Sequence, residues 1–209
     1  MALCLVGSEM CIRDRAKQAH RDKTGVPPLI DLSLGSTDLQ PPEEILRCMA
    51  AAVTDPASSA YCLEAGTVPF HQAVAAWCQR RFGVEVDPQR QVQLLVGSQE
   101  GTAHLPLAIL DPGDRALLLD PSYPSHRGGL VLAGASICSL PLSQEQDWLP
   151  DFDAIRPELW DQLKLFVLGY PHNPTARVGN QELLDQAMAR GCRHQLVIAN
   201  DNPLSLIHI

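Results

Sequence analysis

The feature that most restricts the fold of this chain is a regular alternation of short apolar runs with helical segments, which begins after Asp87-Pro88. The runs are as short as strands, and continuous apolar strands of this kind are buried on both faces of a sheet. The predicted strands are 92–96, 116–119, 136–140, 165–168 and 196–199, and the predicted helices between them are 101–110, 123–133, 152–159 and 182–190. Strands that alternate with helices form a mostly parallel sheet. We therefore predict an α/β fold in three layers, with helices on both faces of the sheet.

Two further helices are predicted ahead of the sheet. The first begins after Pro41-Pro42 with Glu43 and Glu44, because proline and acidic residues favour the first turn of a helix. The second is capped by Thr67 and ends at Gly83, and its apolar stripe predicts that it belongs to the core.

Gly35 and Tyr61 stand near these helices, and the sequence leaves the role of each open. Gly35 ends an extended apolar segment, where it either makes a turn or lets a ligand approach the backbone closely. Tyr61 either packs against the fold or reaches a ligand with its hydroxyl group.

The two ends of the chain do not read as natural protein sequence. Residues 1–15 lack the basic start and the long apolar core of a signal peptide, and the chain stops with residues 204–209 in the middle of a predicted site. We interpret both as non-native, adapter-derived tails. Between them we predict an N-terminal segment at 16–85, whose helices lead into a larger domain at 86–203.

Composition excludes several classes of partner. The 209 residues include 16 Lys and Arg against 24 Asp and Glu, and the resulting net charge of −8 argues against nucleic acid and anionic membranes as partners. No apolar run is long enough to span a membrane. The seven cysteines form no C-x-x-C pair, which favours reduced thiols over a disulfide framework or a zinc site. We expect a cytoplasmic protein without a metal site.

Polar residues collect where four of the predicted strands end, and ligands of open α/β sheets bind at that edge. The four segments are Gly97–Gly101, Asp120–Pro124, Tyr170–Ala176 and Asn200-Asp201. Each has an ordinary structural alternative, since glycine turns, prolines and acidic caps are common between strands and helices.

The four segments together describe a site for a phosphorylated heteroaromatic ring. Ser98 and Gln99 open a helix whose free backbone N–H groups and positive dipole end suit a phosphate. Tyr123 lies between two prolines and can form a flat wall, and the prolines on either side of Asn173 present its amide from a stiff backbone. Asp201 follows a buried strand, where a carboxylate caps a helix, binds a cation or keeps a ring nitrogen protonated. Pyridoxal phosphate is a ligand that needs all four contributions.

The order G-S-x-x-G, P-S-Y-P, N-P-T and D-x-P, over about residues 29–203, resembles the amino-terminal half of the class I and II aminotransferases of fold type I. The resemblance implies that residues 86–203 are part of a pyridoxal-phosphate-binding large domain. It also implies that Ser98 and Gln99 hold the phosphate, that Tyr123 stacks on the pyridine and that Asn173 donates to the ring hydroxyl. By the same resemblance, Asp201 pairs with the pyridinium nitrogen and Gly35 contacts the substrate carboxylate. Tyr61 is expected to reach the phosphate of the neighbouring subunit's cofactor in a homodimer.

The function that the resemblance implies is transfer of an amino group from an amino acid to a 2-oxo acid, in the branch that is similar to diaminopimelate or aspartate aminotransferases.

Two residues depart from the family pattern: Ala176 replaces the usual glycine after N-P-T, and Leu204 replaces a tyrosine. The family's Schiff-base lysine and its substrate-binding arginine lie downstream of Asp201. The three lysines here, at 17, 23 and 164, do not match that position. We therefore expect no catalytic residue within the chain and no activity from the chain alone.

Two alternative functions use the same scaffold. One is the aminotransferase-like effector domain of a transcriptional regulator, which requires a DNA-binding helix-turn-helix upstream, and residues 16–28 are too short for one. The other is a pyridoxal-phosphate-dependent lyase or decarboxylase, because most residues that select the reaction lie beyond this segment in the family.

Overall fold

A computed structural model of the chain describes residues 9–30, 39–61 and 66–202. Gly35 and Leu204, two positions considered above, lie outside the described residues. The chain forms two compact units, Met1–Tyr61 and Cys62–Ile209. None of the helices in the described part of the chain combines the length and apolarity that crossing a bilayer needs.

The regular elements in the described part of the first unit are helices. Helix α1 spans Glu9–Arg21, helix α2 spans Glu43–Thr54, and a 3-10 helix follows at Pro56–Ser59. Helix α2 begins after Pro42 with Glu43 and Glu44 in its first turn, as predicted. Helix α1 was not predicted, and it begins within the segment that we interpreted as a tail. The domain boundaries at residues 15, 85 and 203 stay predictions.

The second unit contains a four-stranded sheet in which all neighbours run parallel. Its strands, in the spatial order β2-β1-β3-β4, are β1 Arg115–Asp120, β2 Ser136–Pro141, β3 Leu163–Leu168 and β4 Val197–Asn200. Its helices are α3 Val68–Phe82, α4 Ser98–Ile109, α5 Pro124–Leu132, α6 Pro157–Trp160 and α7 Gln181–His194, with a 3-10 helix at Phe152–Ala154. The predicted α/β fold with a parallel sheet is confirmed.

The two central strands are buried on both faces, because their apolar residues alternate between two separate cores. Leu117 of β1 and Phe166 of β3 pack on one face, where α7 adds Leu183. Leu118 and Leu165 pack on the other face, together with side chains such as Leu130 of α5. Alternate side chains of a strand point to opposite faces, so an unbroken apolar run supplies both cores. The sheet is therefore the middle layer of three.

Two predictions about the region before the sheet are wrong. Residues 92–96 form no strand, since none of the four strands pairs with them, and Val96 is 93% exposed. A strand needs a neighbour for its backbone hydrogen bonds, which an apolar run alone does not provide. Helix α3 has the predicted Thr67 cap and ends at Gly83 in a left-handed conformation, but none of its residues is fully buried. Its apolar stripe is only partly covered and is not core.

Two helix predictions also need correction. Helix α7 was expected to stop before Gly191 but continues to His194. A Cβ at Gly191 would lie 2.8 Å from Ile198 Cδ1, so this glycine allows α7 to approach β4 closely and does not end the helix. The helix predicted at 152–159 is split into two short pieces, because Pro157 lacks the N–H group that a continuous helix needs there.

Candidate active site at the carboxyl end of the sheet

The strand order places a crevice between β1 and β3. The connection from β1 to β2 runs through α5, which packs on one face of the sheet, and the connection from β3 to β4 runs through α7 on the other face. The order therefore reverses between β1 and β3, and ligands of open α/β sheets bind at such a point. The loop after β1 carries Tyr123, and the loop after β3 carries Asn173.

Five of the seven predicted site residues line one cavity of about 260 Å³ at this point. They are joined there by a histidine, a glycine and a proline that sequence analysis did not assign to the site. The full lining is Ser98, Gln99, Tyr123, His126, Gly169, Pro171, Asn173 and Asp201.

The first residues of α4 form the side of the cavity that suits an anion. Gly97 precedes the helix with φ +83°, a left-handed conformation that glycine adopts without steric cost. Ser98 and Gln99 then begin the helix, whose first N–H groups lack intrahelical acceptors and carry the positive end of the dipole. The Gln99 amide donates a hydrogen bond to the Tyr123 hydroxyl, with 2.5 Å between Nε2 and Oη. The start of α4 and the aromatic ring are therefore directly connected.

A close approach of α4 and α5 places these two residues side by side. Gly129 of α5 leaves no room for a side chain, since a Cβ there would lie 2.6 Å from the backbone oxygen of Thr102 in α4. A hydrogen bond of 3.1 Å also joins the hydroxyl groups of Thr102 and Ser125. The helix contact thus fixes where Gln99 meets Tyr123.

Asp201 also lines the cavity and is paired with a buried histidine. Its backbone N–H donates to the Leu168 carbonyl at the end of β3, with an N–O distance of 2.9 Å. Its carboxylate Oδ2 lies 2.9 Å from His126 Nε2, and the two side chains are 13% and 8% exposed. The bond to His126 orients the carboxylate and leaves Oδ1 outside that bond, so the pair can present an oriented negative charge to the cavity.

His126 is the residue that sequence analysis missed. It follows Tyr123 by three positions at the start of α5, and such a spacing places two side chains on the same side of a helix. The rings of Tyr123 and His126 indeed meet edge to face, with their centroids 5.9 Å apart. The proline after Tyr123 and the i, i+3 spacing were a usable signal for this pair.

Asn173 lies in a loop that closes on itself. The N–H of His172 donates to the Arg177 carbonyl and the N–H of Ala176 donates to the His172 carbonyl, both with N–O distances of 2.7 Å. Ala176 has φ +60°, which explains physically why a glycine suits this position. Tyr170, at the start of the loop, donates from its hydroxyl to the Trp148 carbonyl at 2.7 Å. Burial raises the pKa of Tyr170, against a smaller opposing effect of Arg177, so this phenol stays protonated and structural.

These residues fit a phosphorylated pyridine. The start of α4 supplies N–H groups and the Ser98 hydroxyl for a phosphate, and Tyr123 supplies an aromatic face. Asp201 supplies a largely buried carboxylate for a protonated ring nitrogen, and Asn173 supplies an amide in the same cavity. Gly169 keeps the floor of the cavity open, because a Cβ there would lie 3.3 Å from the Asp201 carbonyl and 3.5 Å from His126 Cε1.

The predicted roles of Tyr61 and Gly35 are not tested by the structure. Tyr61 is 96% exposed and belongs to the other compact unit, so its contact with a neighbouring subunit's cofactor stays a prediction. The role of Gly35 also stays a prediction. Lys164 bonds to Asp114, which precedes β1, with 2.7 Å between Nζ and Oδ2. It therefore lies at the amino end of the sheet, as predicted from its place in β3.

A larger groove of about 550 Å³ lies between α6 and α7, away from the predicted residues. Several of its charged groups satisfy one another. Arg190 pairs with Asp153 at 3.0 Å, and His194 pairs with Asp161 at 2.6 Å. The groove therefore offers fewer unsatisfied polar groups for a ligand than the smaller cavity at the ends of β1 and β3.

Comparison with known families agrees with this geometry. The family model described as aminotransferase class I and II matches residues 27–201. The chain belongs to the class I and II aminotransferase family. The matched range includes all eight residues of this aminotransferase chain that line the cavity, from Ser98 to Asp201.

Several curated relatives of this aminotransferase chain are named LL-diaminopimelate aminotransferase. An LL-diaminopimelate aminotransferase of Maridesulfovibrio salexigens is 39% identical over 173 residues, which are 83% of this chain and 45% of that protein. One from Aquifex aeolicus is 37% identical over 93% of this chain and 50% of its own length. The chain thus spans about half the length of the curated relatives it matches.

Solved structures of aminotransferases also match this chain over about half of their own length. A probable N-succinyldiaminopimelate aminotransferase from Thermus thermophilus superimposes with a TM-score of 0.83 and 41% identity, covering 93% of this chain and 52% of that one. A mutant of the Thermus thermophilus aspartate aminotransferase superimposes with a TM-score of 0.81 and 26% identity, over 92% and 49% of the two chains. The fold is therefore that of the corresponding part of these aminotransferases.

Proposed function

We propose that the complete protein containing this chain is a pyridoxal-phosphate-dependent aminotransferase that transfers an amino group from an amino acid to a 2-oxo acid. The observation that carries the proposal is that one cavity is lined by the start of α4, the Asp201–His126 pair, Tyr123 and Asn173. A phosphate, a planar ring and a protonated ring nitrogen need these contributions together.

Each residue has a distinct task in this proposal. Pyridoxal phosphate supplies an aldehyde that takes up the amino group and a pyridine ring that withdraws electrons. Ser98 and Gln99 bind the phosphate, and Tyr123 covers one face of the ring. Asp201 holds a proton at the pyridine nitrogen through a charge-assisted hydrogen bond, while His126 keeps the carboxylate in the required orientation. Asn173 donates to the ring hydroxyl and so orients the ring within its plane.

The amino donor that we propose is LL-diaminopimelate or a close analogue, on the basis of the named relatives and their 35–39% identity. We also propose a homodimer, in which Tyr61 contacts the partner's cofactor. A cytoplasmic location is supported by the described cysteines, Cys48, Cys78, Cys138 and Cys192, which form no disulfide. The Schiff-base lysine is proposed to lie outside these residues, so the chain by itself is inactive.

The test is to express the complete reading frame and to assay it with pyridoxal phosphate and a panel of donors. LL-diaminopimelate, its N-succinyl derivative and aspartate would each be offered with a 2-oxo acid, and the new amino acid would be measured. We expect transfer from at least one diaminopimelate donor. Carbon dioxide release or elimination without amino transfer would identify a decarboxylase or a lyase, and saturable cofactor binding without turnover would favour an effector domain.

A further inference from the structure

The side chain of Gln99 makes a contact that a phosphate-binding role leaves unexplained. Its amide donates a hydrogen bond to the Tyr123 hydroxyl, with 2.5 Å between Nε2 and Oη. The two residues are 24 positions apart, at the starts of α4 and α5, and both line the cavity. Gln99 is exposed, so water could satisfy its amide without this bond. Burial alone therefore does not account for the contact.

A phosphate at the start of α4 can be bound without the Gln99 side chain. Gln99 is the second residue of α4, and the first four N–H groups of a helix have no acceptor within it. The N–H groups of Ser98 and Gln99 and the Ser98 hydroxyl are thus available to an anion. A substitution that changes only the Gln99 side chain leaves all three groups in place.

The ring of Tyr123 is held by two side chains. Its Oη atom lies on the long axis about which a tyrosine ring rotates, so the bond from Gln99 fixes where that axis points but not the rotation about it. His126 limits the rotation, because the two rings meet edge to face with centroids 5.9 Å apart and planes at 70°. The two contacts together define the plane that the Tyr123 ring presents to the cavity.

The backbone of Gln99 is tied to the same neighbouring helix. The Thr102 hydroxyl donates to the Gln99 carbonyl, with an O–O distance of 3.1 Å. Since that hydrogen is used, Thr102 accepts from the Ser125 hydroxyl of α5, also at 3.1 Å. Ser125 follows Tyr123 by two positions. The backbone of Gln99 is thus held relative to α5 close to the point where its side chain bonds to Tyr123.

Building on the proposed function, we propose that the Gln99 side chain is a positioning group that holds the ring of Tyr123 against the cofactor's pyridine, while the backbone N–H of Gln99 binds the phosphate. The side chain touches neither the phosphate nor the reacting atoms in this role. One residue then sets the position of the phosphate relative to the aromatic face that covers the ring.

Two substitutions remove the same hydrogen bond from its two ends. Gln99→Met keeps the length of the side chain and the backbone N–H but removes the amide, and Tyr123→Phe keeps the ring but removes the hydroxyl. If the bond between them is what matters, the double variant should lose no more than one single variant. The matched control is Gln181→Met at the start of α7, where the glutamine amide bonds to Asp185 of its own helix at 2.8 Å.

The experiment measures the dissociation constants of pyridoxamine phosphate and of inorganic phosphate for the product of the complete reading frame. Pyridoxamine phosphate has no aldehyde and reports the non-covalent contacts, whereas inorganic phosphate has no ring. We expect Gln99→Met and Tyr123→Phe each to raise the constant for pyridoxamine phosphate about 2-fold to 10-fold, the range of one lost hydrogen bond. The double variant should lie within about 2-fold of the weaker single variant.

Inorganic phosphate separates a positioning role from direct phosphate binding. Its dissociation constant should stay within about 2-fold of the wild type in Gln99→Met and Tyr123→Phe, because the N–H groups of α4 remain. Such retained binding also shows that the start of α4 is folded in each variant. Gln181→Met should change neither constant.

Several outcomes would overturn the positioning role. These are unchanged binding of pyridoxamine phosphate by Gln99→Met, independent and multiplying effects of the two single substitutions, and an equal weakening of both ligands by Gln99→Met, which would make the side chain a phosphate ligand. Each of these outcomes leaves the proposed function standing, since the wild type still binds pyridoxamine phosphate. No binding of pyridoxamine phosphate by the wild type would overturn the proposed function, on which this role rests.

Discussion

At the scale of single residues, the site depends on a carboxylate whose charge is held in place. Asp201 is bonded to His126 through Oδ2 and to the end of β3 through its backbone N–H. A charge-assisted hydrogen bond is about twice as strong as a neutral one, and it weakens little in a site with limited access to water. The pair is thus suited to keep a proton at a ring nitrogen.

Asp201→Ala should therefore be the most damaging change among the site residues of this chain. In the product of the complete reading frame, we expect turnover at saturating cofactor to fall by on the order of 10²- to 10³-fold, the range found when one preorganised electrostatic contact is lost. Tyr123→Ala should chiefly weaken cofactor binding, because stacking contributes only about 0.5–1.5 kcal/mol beyond area burial.

Steady-state kinetics with a cofactor titration separates these two effects. Asp114→Ala is a matched control, since it removes a carboxylate paired with Lys164 at the opposite end of the sheet. Turnover of this control should match the wild type. A greater loss of turnover in Tyr123→Ala than in Asp201→Ala would mean that the two roles are wrongly assigned.

Ala176 offers a second prediction at this scale. Its φ of +60° is costly for a residue with a side chain, by about 1–2 kcal/mol, whereas glycine adopts it freely but loses about 0.4–1 kcal/mol through the entropy of the unfolded chain. Ala176→Gly should raise the free energy of unfolding by about 0.5–1 kcal/mol. Urea denaturation measures this free energy of unfolding. The control is Ala189→Gly on the exposed face of α7, which should lower the free energy of unfolding by about 1 kcal/mol. A destabilised Ala176→Gly would contradict this account.

At the scale of elements, the contact between α4 and α5 aligns Ser98 and Gln99, at the start of α4, with the ring of Tyr123. Gly129 makes the close approach possible, and the hydroxyl pair of Thr102 and Ser125 fixes its register. The two helices pack on the same face of the sheet, and each begins at the carboxyl edge where the site lies. Any shift between them changes the distance from Ser98 to Tyr123.

Gly129→Ala should disturb this contact, because its Cβ would lie 2.6 Å from a backbone oxygen that cannot move aside easily. We expect a loss of about 1–3 kcal/mol in the free energy of unfolding, as for other overpacked sites, together with weaker cofactor binding. The adjacent Gly128→Ala is the control. A Cβ there meets nothing within 4 Å, so alanine should stabilise α5 by up to about 1 kcal/mol. Equal free energies of unfolding of the two variants would show that α4 and α5 do not approach each other closely at Gly129.

At the scale of the whole molecule, the position of the lysines determines what the chain can do alone. Lys164 is held by Asp114 at the amino end of the sheet, and this contact raises the pKa of Lys164 and lowers the pKa of Asp114. A lysine that reacts with an aldehyde must be deprotonated and aimed into the site. Lys164 meets neither condition.

We therefore expect the 209-residue chain by itself to show no aminotransferase activity and only weak, non-covalent binding of pyridoxal phosphate. The measurement is borohydride reduction in the presence of pyridoxal phosphate, followed by mapping of adducts by mass spectrometry. Substoichiometric labelling spread over several lysines is the expected result. One stoichiometric adduct on a single lysine, accompanied by turnover, would contradict it.

The sequence by itself determined the α/β class, the parallel sheet and most of the residues that line the site. Unbroken apolar runs such as 165–168 indicate strands buried on both faces, and residues that follow such strands must lie at one edge of a parallel sheet. Asp201 and Asn173 were predictable for this reason, because their positions follow from chain order alone.

Only the tertiary structure decided features that depend on neighbours distant along the chain. The bond of His126 to Asp201 joins residues 75 positions apart, and the bond of Gln99 to Tyr123 joins the starts of two different helices. Residues 92–96 have the composition of a strand but no neighbour to pair with, so their apolar pattern was misleading. The local sequence pattern indicates which residues prefer burial or a turn. Strand pairing, helix contacts and hydrogen bonds between distant segments arise only when separate parts of the chain are packed together.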